Sequence, residues 1–130
     1  MVVYLREGSM DDSIRQALEN DKLVDITTTG RKSGRQHTVE VGLRQIDGQL
    51  YLSNNPGTRD WAANLLANPE CTYHLKQSVQ QALKARATPI LDETVRRNIF
   101  TTLLTTENRM EQLEARMARS HLFKIDLLDT

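Results

Sequence analysis

Between Lys22 and Leu128 the chain switches repeatedly between a two-residue and a three-to-four-residue period of apolar positions. Lys22 to Thr29 is β-branched and stops at Gly30, which predicts a strand. From Gln36 to Arg44, Val39, Val41 and Leu43 alternate with Thr38, Glu40, Gly42 and Arg44, the pattern of a strand with one buried face. Asp47-Gly48 predicts a tight hairpin turn, and Gln49 to Ser53 is the returning strand. Glu70 to Lys76 places Cys71, Tyr73 and Leu75 on one side, and Val79 to Thr88 does the same with Leu83, Ala85 and Ala87, so these two runs form a second hairpin. His121 to Leu128 sets Phe123, Ile125 and Leu127 against Leu122, Lys124 and Asp126 and closes the pattern as a sixth strand.

Helical spacing appears in three places. Residues 1–8 read as a loose arm, after which Ser9 to Ser13 starts a short helix capped by Asp11, Asp12 or Ser13, with Ile14, Ala17 and Leu18 on one face. Asp60 is a suitable N-cap for a helix from Trp61 to Ala67, and Asn68-Pro69 stops it. From Asp92 the positions Val95, Ile99 and Leu103, then Met110, Leu113 and Met117, recur at helical spacing, with Thr105 to Asn108 as a break between two helices.

Six short strands in hairpin-connected groups, one helix after the third and a helical excursion before the last, predict an α+β, mainly β architecture. It is a small antiparallel barrel rather than a parallel sheet. The chain of 130 residues reads as one domain, with an N-terminal arm and helix over 1–21 and the excursion over 92–120. Lys plus Arg number 17 and Asp plus Glu number 17, so no overall field would hold the protein on a nucleic-acid backbone, and few aromatics are present for base stacking. One cysteine, Cys71, gives neither an intrachain disulfide nor a Cys/His metal framework; a cytoplasmic protein without a metal site is expected. No apolar run is long enough to span a membrane, and the N-terminus has no apolar leader core.

The chemistry concentrates at the first turn. Thr27-Thr-Thr-Gly-Arg-Lys-Ser-Gly-Arg35 holds two glycines and three cations where one neutral turn residue would suffice. Gly30 and Gly34 allow positive φ or close approach, and the N–H groups between them can converge on one concavity. Arg31, Lys32 and the Ser33 hydroxyl add donors for phosphate or carboxylate. An exposed basic hairpin turn kept for solubility is the plain alternative. The second turn-rich segment, Asn54-Asn-Pro-Gly-Thr-Arg59, delivers the chain to a helix N-terminus, where amides and the helix dipole favour negative charge.

Taken with Arg59-Asp-Trp61 and Asn64-Leu-Leu-Ala-Asn-Pro69, the glycine turn resembles the deazaflavin-dependent nitroreductase family of the split β-barrel flavin-binding superfamily. The resemblance runs from about Leu23 to Leu75. It implies a six-stranded split β-barrel with flanking helices, often a homodimer, that binds coenzyme F420 in a groove and passes hydride to a small quinone, nitro or activated-alkene acceptor. Flavin mononucleotide is the alternative cofactor. A non-catalytic barrel that carries a cofactor, tetrapyrrole or lipid is the rival function. The resemblance places Arg31, Lys32, Ser33 and Gly34 at the cofactor phosphate with His37 and Thr38 beside them, and Asn54, Asn55, Pro56, Gly57, Thr58 and Arg59 on a supporting loop, with Trp61 behind. Many relatives carry Pro-Arg where this chain has Gln36-His37, and some carry lysine where it has Asn54-Asn55; both changes remove fixed positive charge. Hydride transfer also needs a proton source, for which Tyr51, His37, Tyr73 and His74 are the candidates. Of these, Tyr51 and His37 are the catalytic expectations.

Overall fold

The computed structural model describes residues 12–128, so the expected arm at residues 1–8, the helix start at Ser9 and the capping role of Asp11 lie outside the described residues. Helix α1 (Asp12–Asn20) buries Ala17 and Leu18 against the barrel, as its apolar spacing requires. At its end the buried Asp21 carboxylate accepts hydrogen bonds from the Ser78 amide, at 3.1 Å, and the Ser78 hydroxyl, tying the helix to the far hairpin turn.

The strands are β1 (Leu23–Thr29), β2 (Gln36–Gly42), β3 (Arg44–Ile46), β4 (Gln49–Ser53), β5 (Glu70–Leu75), β6 (Gln81–Pro89) and β7 (Leu122–Leu127). All neighbours are antiparallel, in the order β2-β1-β5-β6-β7-β4-β3. The expected second strand is therefore two strands. Its first part pairs with β1 until β1 begins at Leu23, where the Leu43 amide makes a last bond of 2.9 Å to the Lys22 carbonyl; beyond that point the run pairs with β4. Alternation continues unbroken through the change of partner, so the pattern of residues carries no mark of it. Because β2 and β3 are the two edges of the sheet and only Leu43 separates them, the sheet must curl until its edges meet. That connection leaves the fold without a long open edge.

The inner face carries Val24, Ile26, Leu50, Leu52, Cys71, Tyr73, Leu75, Ala85, Ala87, Phe123 and Ile125, all buried. The register sets Ile26 beside Tyr73 and Tyr73 beside Leu83, so the alternation of each strand adds to one interior. The β3–β4 turn has positive φ at both Asp47 (49°) and Gly48 (86°), the two-residue hairpin form expected of Asp-Gly. Helix α2 (Asp60–Ala67) closes one part of the barrel with Ala62 and Leu65.

Helices α3 (Glu93–Thr106) and α4 (Leu113–Arg119) cover a second, outer cluster of Phe100, Leu104 and Leu122, with Tyr51, Leu113 and Met117 packed on it. The Asp92 carboxylate caps α3 by accepting the Val95 amide at 2.9 Å. The buried face of α3 is Phe100, Leu103 and Leu104, while Val95 and Met110, expected inside, are 45% and 41% exposed. The stripe is offset because Phe100 and Leu104 meet the outer side of Leu122, a residue expected on the polar face of the last strand. α3 ends in a left-handed residue, Asn108 (φ 57°); Arg109 bonds back to Leu104 at 2.8 Å and Asn108 to Thr105 at 3.2 Å. No described helix is long and apolar enough to cross a membrane.

Candidate anion-binding groove

The Gly30–Arg35 turn closes on itself. The Gly30 amide donates to the Arg35 carbonyl at 2.7 Å, the Gly34 amide to the Gly30 carbonyl at 3.0 Å, and the Arg35 amide to the Ser33 hydroxyl at 3.1 Å. Gly34 has φ of 72°, a conformation that L side chains rarely adopt. Gly30 is favoured for a different reason: a Cβ there would lie 2.9 Å from Ser33 Oγ, 3.2 Å from His37 Nε2 and 3.3 Å from the Arg35 carbonyl oxygen, so its neighbours would have to shift. The turn is thus compact enough to bring His37 back over its own start.

α2 holds the turn from the other side. The Asn64 side-chain oxygen accepts both the Arg31 amide, at 3.1 Å, and Arg31 Nη1, at 2.9 Å. One helical turn later Asn68 Nδ2 donates to the Thr29 carbonyl at 3.4 Å. Asn64 within α2 and Asn68 at its extended C-cap thus grip the first cation of the turn and the exit of β1. This tie joins the glycine turn physically to the Asn-Leu-Leu-Ala-Asn-Pro segment. Asp60 does not cap α2 as expected. Arg59 occupies the N-cap position without a side-chain cap bond, and Asp60 is the first helical residue, its carboxylate 3.7 Å from Arg31 Nη2.

Between the turn and α2 lies a groove of about 530 Å³. Arg31, Lys32, Ser33 and His37 line one side, Asp60, Trp61 and Asn64 the other, with Val39 between them. Three potentially cationic groups face one carboxylate, and Trp61, the one tryptophan of the chain, supplies an aromatic wall. Of the residues expected at the cofactor, the groove brings together Arg31, Lys32, Ser33, His37 and Trp61. Gly34 shapes the turn without lining the groove. Thr38 points to the opposite face of β2, where its hydroxyl is 2.7 Å from that of Thr27, itself 2.8 Å from His74 Nε2.

The second loop behaves otherwise. Asn54 is buried, donates to the carbonyls of Asn55 and Gly57 at 2.6 and 2.9 Å, and accepts the His121 amide at 2.8 Å. Behind it Arg116, 1% exposed, donates to the Asn54 carbonyl at 3.1 Å, to Asn55 Oδ1 at 2.9 Å and to Gln112 Oε1 at 3.1 Å. Burial, and then the Arg44 charge, push the Arg116 pKa down. Gly57 (φ 124°) bonds through its amide to the Arg119 carbonyl at 3.0 Å, and Gly57 and Thr58 border a separate cleft of about 380 Å³ beside Arg96, Arg119 and His121. Arg59 is exposed, with Nη1 on the Thr58 carbonyl at 2.9 Å, and Pro56 is half-buried.

Among the proton candidates, His37 alone lines the groove. Tyr51 is half-buried under α3, where burial raises its pKa, and Tyr73 is sealed in the barrel, its hydroxyl without a hydrogen-bond partner and its pKa well above the ordinary value because of burial. Cys71 is likewise buried, and its thiol is pushed up to about 12 by desolvation. No group of His, Cys, Asp or Glu among the described residues could hold a metal ion. Sequence reasoning did not single out Asn64 or Arg116 for their roles. Asn64 is a polar residue buried in α2 between Ala62 and Leu65, and Arg116 falls between Leu113 and Met117 on the packed side of α4, a charge in an apolar stripe.

Comparison with solved structures places the fold. An F420-H2-dependent reductase (FDR-A) is 20% identical, with 82% of this chain and 95% of that chain covered and a TM-score of 0.63. An FAD-binding protein from Mesorhizobium loti is 15% identical over 92% of this chain and 91% of that one, TM-score 0.67. The haem storage protein HutZ from Vibrio cholerae is 15% identical over the same shares, 92% and 91%, TM-score 0.66. These likenesses establish a split-barrel fold. No curated protein matches the sequence. A model of the F420H(2)-dependent quinone reductase family matches residues 5–119. With nearly the whole chain matched and the glycine turn docked on α2, this protein belongs to the F420H2-dependent quinone reductase family, and its cofactor is coenzyme F420.

Proposed function

We propose that the protein is an F420-dependent oxidoreductase whose acceptor is a quinone, with nitro compounds and activated alkenes as narrower alternatives. The observation that carries this reading is the groove itself. It sets a glycine turn with Arg31 and Lys32 against the N-terminal end of α2 and provides Trp61 as a flat apolar wall. Such a donor set fits a cofactor that joins a phosphate to a flat ring system. Arg31, Lys32 and Ser33 would hold the phosphate. The first-turn amides of α2, which Arg59 leaves without a side-chain cap, add partial positive charge on the facing side. Asn54 and Asn55 serve by fixing the shape of the neighbouring loop through Arg116.

When bound, the reduced coenzyme supplies the hydride. The protein orients the two reactants, keeps water from the ring and supplies the one proton that the hydride leaves to be added. Reduction of a quinone to a quinol by one hydride requires one further proton, and in this reading His37, which lines the groove, delivers it.

The test is reduction of a water-soluble quinone by the purified protein with added reduced coenzyme F420, with reduced flavin mononucleotide in a parallel arm. Turnover with the deazaflavin alone supports the reading. Turnover with flavin mononucleotide alone, or with neither, contradicts it.

A further inference from the structure

We propose that Asn64 is a positioning residue for the phosphate turn and that it acts through Arg31; the inference rests on the cofactor reading above. Its side-chain oxygen takes two donors from one residue, the Arg31 amide at 3.1 Å and Arg31 Nη1 at 2.9 Å. A carbonyl oxygen has two lone pairs, and both are committed. The reversed amide would set NH2 against two N–H donors, so the two bonds also fix the orientation of Asn64. The acceptor is rigidly placed: Asn64 is 4% exposed, on a helix whose Ala62 and Leu65 are buried in the barrel core.

What this arrangement does follows from the donors left over. A guanidinium has five N–H groups in a fixed fork. Asn64 takes one on Nη1, and Asp60 lies 3.7 Å from Nη2, so N–H groups remain for an oxyanion in the groove. A long side chain ordinarily loses rotamer freedom when it binds a ligand. Arg31 has already lost it in the free protein, which favours binding by preorganisation. Asn64 therefore tightens a ligand without touching it. Asn68, the C-cap of the same helix, holds the Thr29 carbonyl at 3.4 Å and keeps the base of the turn in register with that anchor.

The role predicts that Asn64 and Arg31 are energetically coupled. Coenzyme F420 is titrated against wild type, Asn64→Ala, Arg31→Ala and the double variant, with Trp61 fluorescence as the signal. Hydrogen exchange of the segment 30–35 is measured on the same proteins without ligand. Asn64→Ala is expected to speed exchange of the Arg31 amide at least tenfold and weaken coenzyme binding about tenfold, and in the Arg31→Ala background the second loss falls below threefold. Asn64→Asp, which keeps the accepting oxygen, is expected to retain the Arg31 amide protection. Equal losses of affinity in the two backgrounds overturn the proposal, because Asn64 would then act independently of Arg31; so does exchange in Asn64→Asp as fast as in Asn64→Ala. Failure of the wild-type protein to bind the coenzyme overturns the cofactor reading and this role with it, and that outcome is distinct from the other two.

Discussion

Two glycine-containing loops sit beside α2, and they use their polar groups in opposite ways. The Gly30–Arg35 turn is gripped only at its base, by Asn64 and Asn68, and presents Lys32, Ser33 and His37 to the groove. The Asn54–Arg59 loop directs the buried Asn54 inward, onto the loop's own carbonyls and the His121 amide, and the exposed Asn55 accepts from the buried Arg116. Both segments read from sequence as loops suited to a ligand. The difference is satisfaction: a polar group already paired and desolvated holds structure, whereas a cation fixed at its base with donors to spare can bind.

The largest effect that can sharpen this contrast is expected behind the second loop. Arg116→Leu would leave the Asn54 carbonyl and the Asn55 and Gln112 side chains without their donor, and is expected to lower stability by about 3 kcal/mol, read by denaturant unfolding. A stability within about 0.5 kcal/mol of wild type would show that the loop does not depend on that clamp. In the first turn, Gly30→Val places a branched side chain where Ser33 Oγ and His37 Nε2 already lie within 3.2 Å of a Cβ, and coenzyme affinity is expected to fall about tenfold, or about 1.4 kcal/mol. An unchanged dissociation constant would mean that the turn opens freely and is not the binding element.

A smaller change in the same groove restores a permanent charge. His37→Arg is expected to tighten coenzyme binding about threefold at moderate salt, in line with an exposed charge contact worth under about 1 kcal/mol. Weaker binding would give His37 a role of its own at the cofactor. No effect at all is expected at Cys71, whose thiol is pushed up to about 12 by burial. A raised thiol pKa means almost no thiolate at pH 8, so alkylation of native protein should be slow there and become rapid only when unfolding exposes the side chain. Fast modification of the folded protein would contradict the buried inner face of β5.

Most of the architecture was legible because one face of each strand is buried and alternation reports that directly. Where a residue serves two faces, the pattern failed. Leu122 is buried outside the barrel, and Phe100 and Leu104 follow it, so α3 buries them beside the expected Leu103 while Val95 is left exposed. The switch of partner at Leu43 was invisible because both halves of the run alternate alike. In the site, composition marked the cations of the turn, since Arg31, Lys32 and Gly30 are unusual there in any fold. Asn64 and Arg116 act by long-range hydrogen bonds to residues 33 and 61–62 positions away, and local spacing carries little of that information.

The most direct test of the account is a titration of coenzyme F420 into wild-type protein and into the Arg31→Ala, Lys32→Ala double variant, read by fluorescence of Trp61 in the groove wall. Hydrogen bonds to charged groups contribute about 1.5–3 kcal/mol each, so the double variant is expected to bind more than tenfold more weakly while melting close to the wild-type temperature. Equal affinity of the two proteins would contradict the assignment of the phosphate to the Gly30–Arg35 turn.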